Sequence, residues 1–160
     1  GGEGFLLANI LHYCPGTRGI LFDTQNALEK APDLLARYNA LNRAEILPGN
    51  FFERIPVKAD IYLLKNIIHN WSDIQSIELL CNIRKTMEPG AILLILEMVI
   101  PDNSGPSLAK LLDIQMMATM TGGKERTGLE YRDILDKSGF RLKRIIPTIS
   151  PVSLIEATQK

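Results

Sequence analysis

The stretch that most limits the possible folds is Ala91–Val99, a continuous apolar run broken by a single acid, Glu97. A run without period-two alternation suits a strand in a sheet covered on both faces, as parallel sheets are. It falls well short of the ~20 residues that a membrane span needs. Around it, strand and helix signals alternate along the whole chain. Helices are expected over Phe5–Tyr13, closed by Pro15-Gly16, and over Ala27–Asn39 in spite of Pro32. Further helices are expected from Ser72-Asp73 to the Met87-Glu88-Pro89-Gly90 stop, over Leu108–Met120, and over Thr127–Ser138. In the last of these Thr127 is the N-cap and Glu130 holds the capping-box position. Strands are expected over Gly19–Phe22, Ala44–Leu47 and Asp60–Leu64, with Phe140–Ile146 and Ser153–Ala157 pairing as a closing hairpin. The pattern predicts an α/β fold with a largely parallel sheet, helices on both faces and one antiparallel edge, in a single unit spanning residues 1–160.

Composition narrows the function classes. Of the 160 residues, 46% are apolar and 22% charged, the mixture of an ordinary globule. Eighteen basic against eighteen acidic residues leave no net charge, so nothing electrostatic points to nucleic acid or an anionic membrane. Cys14 and Cys81 lack metal-ligand spacing, which predicts reduced thiols, a cytoplasmic setting and no cysteine-based metal site. A small neutral or weakly charged ligand is left as the expected partner.

The chain opens on Gly-Gly-Glu-Gly ahead of a helix, with no methionine and no preceding strand, and reads as cut from something longer. Glycines there let a backbone approach a ligand, although such a segment also serves as a plain turn. Asp23 ends the next strand about 20 residues on, the distance at which a carboxylate holds ribose hydroxyls in nucleoside sites, or else it caps the following helix. Asp23, Asn50, Lys65, His69 and Glu97 all fall at or just past the carboxyl ends of expected strands, where open α/β sheets place their ligand crevices. His69, in Lys-Asn-Ile-Ile-His-Asn-Trp-Ser-Asp, is a candidate general base, set against a histidine that merely packs. Glu97 and Glu125 are candidate partners for its imidazole; the alternatives are a solvated strand end and a first-turn helix acid. Lys124 and Arg126 read as solvated neighbours of Glu125. The stripe Met116, Met117, Met120 reads as core in preference to pocket, though methionine adapts well to flat rings.

With those residues in place, the chain resembles the C-terminal catalytic domain of the S-adenosylmethionine-dependent O-methyltransferases, which include plant caffeic acid and flavonoid enzymes, acetylserotonin methyltransferase and bacterial natural-product enzymes. The segments that carry the likeness are GGEG, ILFD, LPGNFF, LLKNIIHNWSD, ILLILEMVIPD and GGKERT followed by a helix and SGFRL. The resemblance implies a Rossmann-like sheet lacking its first strand, an absent N-terminal helical dimerisation domain, and a homodimer for the whole protein. It assigns the S-adenosylmethionine site to Gly1, Gly2, Gly4, Asp23, Asn50, Phe51 and Lys65, the base to His69 with orienting acids Glu97 and Glu125, and substrate-facing positions to Met116 and Met120. Asn50 stands where the family usually has aspartate, keeping an acceptor and losing a charge. The expected reaction is methyl transfer to a hydroxyl, of phenolic type, on a small aromatic or polyketide-like molecule, with no metal. Three alternatives stand beside it: an inert fragment with two exposed interior strand edges, a relative turned to hydroxylation, and a nicotinamide-binding domain.

Overall fold

In the computed structural model, which describes residues 1–160, the run around Glu97 is a strand, β4, with a pronounced two-residue rhythm of burial. Leu93, Ile95 and Glu97 are buried and the alternate residues half-buried, so the apolar run packs one face more tightly than the other. The chain forms two compact units, Gly1–Val57 and Lys58–Lys160.

The first unit contains α1 (Phe5–Tyr13), β1 (Gly19–Asp23), α2 (Ala31–Arg37) and β2 (Ala44–Pro48). β1 and β2 pair in parallel from Gly19↔Ala44 to Asp23↔Pro48. Its core joins Ala8 and Leu11 of α1 to Leu21 of β1 and Leu35 of α2. Gly4 caps α1 at φ 85°, and a Cβ there would meet Leu21 at 2.9 Å, so both backbone and packing call for glycine. The second helix is shorter than the expected Ala27–Asn39. Residues 27–30 form turns, and Pro32 sits in the first turn of α2, where its missing N–H costs nothing.

The second unit contains β3 (Ile61–Lys65), α3 (Asp73–Thr86), β4 (Ile92–Glu97), β5 (Val99–Ile100), α4 (Leu108–Thr119), β6 (Arg126–Thr127), α5 (Gly128–Lys137), β7 (Phe140–Pro147) and β8 (Ser153–Gln159). Its main sheet has the order β3-β4-β8-β7. β3 and β4 are parallel, and β8 runs antiparallel to both β4 and β7, which gives the expected hairpin edge. α3 and α5 both start on capping boxes, Ser72 with Gln75 and Thr127 with Glu130.

Two further features depart from the sequence reading. β5 and β6 form a two-residue parallel pair, too short to leave a periodic signal. The methionine-rich helix is not core: only Ala109 of α4 is buried, while Leu111, Ile114, Met117 and Met120 are exposed. No helix is long and apolar enough to cross a membrane.

Candidate active site

Three segments far apart in sequence converge in the second unit. After β3 the chain reverses at Asn66, whose φ of 54° lies in the left-handed region that asparagine tolerates best among non-glycines. The next residues enter the 3-10 turn Ile68–Asn70 with their amides aimed at β4. Glu97 closes β4 there, and its Oε1 accepts the N–H groups of Ile67 at 2.8 Å, Ile68 at 2.9 Å and His69 at 3.5 Å. Two residues later β5 pairs with β6, setting Val99 opposite Arg126 and so bringing Glu125 alongside. The Lys124 amide donates to the His69 carbonyl at 2.9 Å, and a Cβ on Gly123 would lie 2.9 Å from that same oxygen. Glycine at 123 is what allows the two segments to touch.

The result is an imidazole held by two buried carboxylates. His69 Nδ1 lies 3.0 Å from Glu125 Oε1 and 3.4 Å from Glu97 Oε2. Glu97 is fully buried and Glu125 nearly so, whereas the His69 side chain keeps 19% exposure. Carboxylates only accept, so Nδ1 carries the proton and Nε2, on the other edge of the ring, keeps its lone pair. The hydrogen bond to Glu125 holds the His69 pKa above its ordinary 6.5. Burial opposes this, the charges of Glu97 and Glu125 reinforce it, and the Arg126 charge works against it. Burial pushes the Glu97 carboxyl up, against the opposing pull of the imidazole and the bonded amides. The two shifts have different leading causes, the Glu125 hydrogen bond for His69 and burial for Glu97, and the neighbouring carboxylate adds to each.

The structure corrects the reading of Arg126 as a solvated neighbour. Its side chain is fully buried and donates to the carbonyls of Ile68, Trp71 and Lys124, to Ser76 Oγ and to Asp73 Oδ1. Lys124, by contrast, is partly exposed and pairs with Asp73 and Glu130. Glu97 and Glu125 are neither a solvated strand end nor a plain helix acid. Sequence reasoning missed Asn66, Gly123, Asp113 (whose Oδ1 accepts the Glu125 amide at 2.9 Å) and Tyr131, which is buried with an unpartnered hydroxyl. Only the Gly122-Gly123 pair carried a legible signal, as a close-approach point.

The residues expected to hold a nucleoside are grouped in the first unit, apart from Lys65, which is exposed at the end of β3. Asp23 Oδ2 accepts the Gly2 amide at 2.8 Å and Oδ1 accepts the Thr24 amide at 2.7 Å, tying the glycine segment to the end of β1. A Cβ on Gly1 would collide with that carboxylate. Gly2 and Gly4 both have positive φ. The Asn50 amide oxygen accepts the Phe52 N–H at 3.0 Å, while its NH2 donates to Glu53 at 3.1 Å. Phe51 and Phe52 stack edge to face. Met116 is half-buried and Met120 exposed. His69, Glu97 and Glu125 also offer donor atoms within 4.8 Å of one another, a set able in principle to take a divalent ion.

Residues 1–141 match the O-methyltransferase domain family. The chain belongs to that family. It is 39% identical to the phenazine O-methyltransferase PhzM of Lysobacter antibioticus, over 98% of this chain and 46% of that protein. It is 37% identical to the mitomycin biosynthesis 6-O-methyltransferase of Streptomyces lavendulae, over 98% of this chain and 44% of that one. Among solved structures, the calicheamicin-biosynthesis methyltransferase CalO1 in its SAH-bound form superposes with a TM-score of 0.92 at 32% identity, covering all of this chain and 47% of that one. The chain thus spans about half the length of the curated relatives it matches. As an O-methyltransferase domain it has a mixed sheet with antiparallel C-terminal strands, and the family's cofactor is S-adenosylmethionine.

Proposed function

We propose that this protein methylates a hydroxyl, phenolic in type, of a small aromatic or polyketide-like molecule, with His69 as general base. The observation that carries this is the imidazole pinned through Nδ1 by two buried carboxylates, which leaves Nε2 with its lone pair on a ring that is still partly exposed. When bound, S-adenosylmethionine supplies a methyl group on a sulfonium centre. The chain's own part is to hold it and to manage one proton. The segment with Gly1, Gly2 and Gly4 fits a close-approaching ligand because Gly2 has open space where a Cβ would stand and a positive φ, while Gly1 and Gly4 let the backbone lie against Asp23 and Leu21. Asp23, partly exposed beyond its two amide bonds, has lone pairs left for ribose hydroxyls. Asn50 keeps one acceptor lone pair for an adenine amino group, with Phe51 beside it in sequence; Lys65, on the second unit, is assigned to the cofactor by the family resemblance alone. His69 Nε2 takes the hydroxyl proton, and Glu97 and Glu125 stabilise the imidazolium that forms. Met116 and Met120 offer adaptable apolar contacts to a flat acceptor. A homodimer and a cytoplasmic location belong to the same reading.

Proton transfer sets the pH dependence. His69 must be unprotonated at Nε2 to act, and its pKa is raised. The rate is therefore expected to fall as pH drops through a midpoint above 6.5, and to level off at alkaline pH. The check is transfer of labelled methyl to a panel of phenols between pH 5.5 and 9, with and without a chelator. An acid limb centred below 6.5, or a rate abolished by chelation and restored by a divalent cation, would overturn the base reading.

Cofactor binding is tested separately. Charge-assisted hydrogen bonds contribute ~1.5–3 kcal/mol each, so Asp23→Ala is expected to weaken S-adenosylhomocysteine binding by roughly 10- to 100-fold. Calorimetric titration reads this directly. An unchanged affinity would remove Asp23 from the cofactor site.

A further inference from the structure

Arg126 is the largest of the fully buried side chains, and it is charged. A guanidinium in that position is expensive, since well-packed apolar residues serve stability as well or better than buried ions. What it does instead is geometric. Nη1 donates to the Ile68 carbonyl at 3.1 Å and the Lys124 carbonyl at 3.3 Å; Nη2 donates to the Trp71 carbonyl at 2.8 Å. Ile68 and Trp71 bracket His69, and Lys124 precedes Glu125. The backbone of Arg126 pairs with Val99, two residues beyond Glu97. One residue therefore touches each of the three segments that carry the imidazole and its two acids. On the outer side Asp73 Oδ1 accepts from Nε at 2.9 Å and from Nη2 at 2.8 Å, fixing the plane of the fork.

We propose that Arg126 is a positioning residue for the transfer reaction, its guanidinium locking the turn that carries His69 onto the segment that carries Glu125. The inference rests on His69 acting as base. Lysine cannot replace this arrangement, because an ammonium lacks the planar fork that meets three carbonyls and a carboxylate together.

The charge has a second effect. The groups that act on His69 are Glu97 from β4, Glu125 just ahead of β6 and Arg126 at its start; Tyr131 from α5 faces the same two acids and Arg126, and Asp73 and Lys124 lie behind Arg126. Glu97 and Glu125 pull the imidazole toward its protonated, inactive form, and Arg126 opposes them. Asp73 tempers that opposition: its partial burial is outweighed by Arg126 and Lys124, which keep it ionised beside the guanidinium.

The test compares Arg126→Gln and Arg126→Lys for kcat, for the pH midpoint of kcat, for NMR titration of the His69 ring, and for fluorescence of Trp71, the only tryptophan in the chain. In Arg126→Gln, kcat is expected to fall by roughly 30- to 300-fold on the scale of misplaced catalytic groups. The acid limb and the ring titration should both move to higher pH, and Trp71 emission should shift. S-adenosylhomocysteine affinity should stay within about twofold, since general-base geometry rather than binding is lost. Arg126→Lys keeps the charge, so its ring titration should stay near that of the wild type while kcat still falls roughly tenfold. If Arg126→Gln does not fold, Asp73→Ala frees the fork from its partly exposed side and should lower kcat several-fold with the same Trp71 shift. Folded variants that retain kcat and the acid limb overturn the proposal while leaving His69 as base. A silent His69→Ala overturns the base reading itself, and with it any catalytic meaning of Arg126.

Discussion

His69→Ala is expected to lower kcat by roughly 10² to 10⁴, the range that positioned general bases contribute, while S-adenosylhomocysteine binds within about threefold of the wild type. The size follows from the acceptor. A phenol with the tyrosine-like pKa of about 10 is only about 0.3% ionised at pH 7.5, so a base that removes the proton as the oxygen becomes nucleophilic can gain some two to three orders of magnitude. The loss should therefore shrink for acceptors that ionise more readily, and added imidazole should restore part of the rate to the vacated site. Affinity should be spared because the Asp23 carboxylate takes its amides from Gly2 and Thr24 within the first unit, while the imidazole takes its partners within the second. A loss below tenfold with an ordinary phenol would remove His69 as base. An equal loss in affinity would mean that the ring serves the fold instead.

The sequence disclosed the parts of this site unevenly, for physical reasons. Long elements with periodic apolar faces were legible: α1 has its expected ends, and α3, α5 and the β7–β8 hairpin lie within a few residues of theirs. Capping chemistry marked Thr127 and Glu130 directly, because that motif is local. The second helix was read too long, since Ala27–Lys30 has helical composition but forms turns ahead of Pro32. His69, Glu97 and Glu125 could be named as polar interruptions at strand ends, but their meeting depends on β5 and β6, a two-residue ladder with no period to detect. Arg126 was misread because a charged residue among charged neighbours looks solvated, and only three-dimensional packing shows that its partners are carbonyls. The exposed apolar side of α4 shows the limit of the opposite rule: helical spacing of Leu and Met marks a sticky face without saying what covers it.

Glu97 separates anchoring from electrostatics, and two substitutions tell them apart. Glu97→Ala removes the acceptor of the Ile67 and Ile68 amides inside the protein and leaves the His69 turn unsupported. Breaking a buried, hydrogen-bonded charge of this kind costs ~3–5 kcal/mol, which for a domain of this size lowers Tm by roughly 10 °C, and kcat should drop by about 10² or more as the imidazole loses its orientation. Glu97→Gln keeps an oxygen for those amides, so the fold should lose far less. What it loses is one of the two negative charges that hold a proton on the ring, and the His69 titration should move back down toward 6.5 because the Glu97 charge was raising it. The acid limb of the rate should follow to lower pH, while the plateau falls roughly tenfold because the imidazolium formed in the reaction is less stabilised. Thermal melts and pH profiles of both variants distinguish the two contributions. If Glu97→Ala melts like the wild type, Glu97 does not anchor the turn. If the limb stays put in a well-folded Glu97→Gln, Glu125 alone sets the basicity of His69, consistent with its shorter contact of 3.0 Å against 3.4 Å for Glu97.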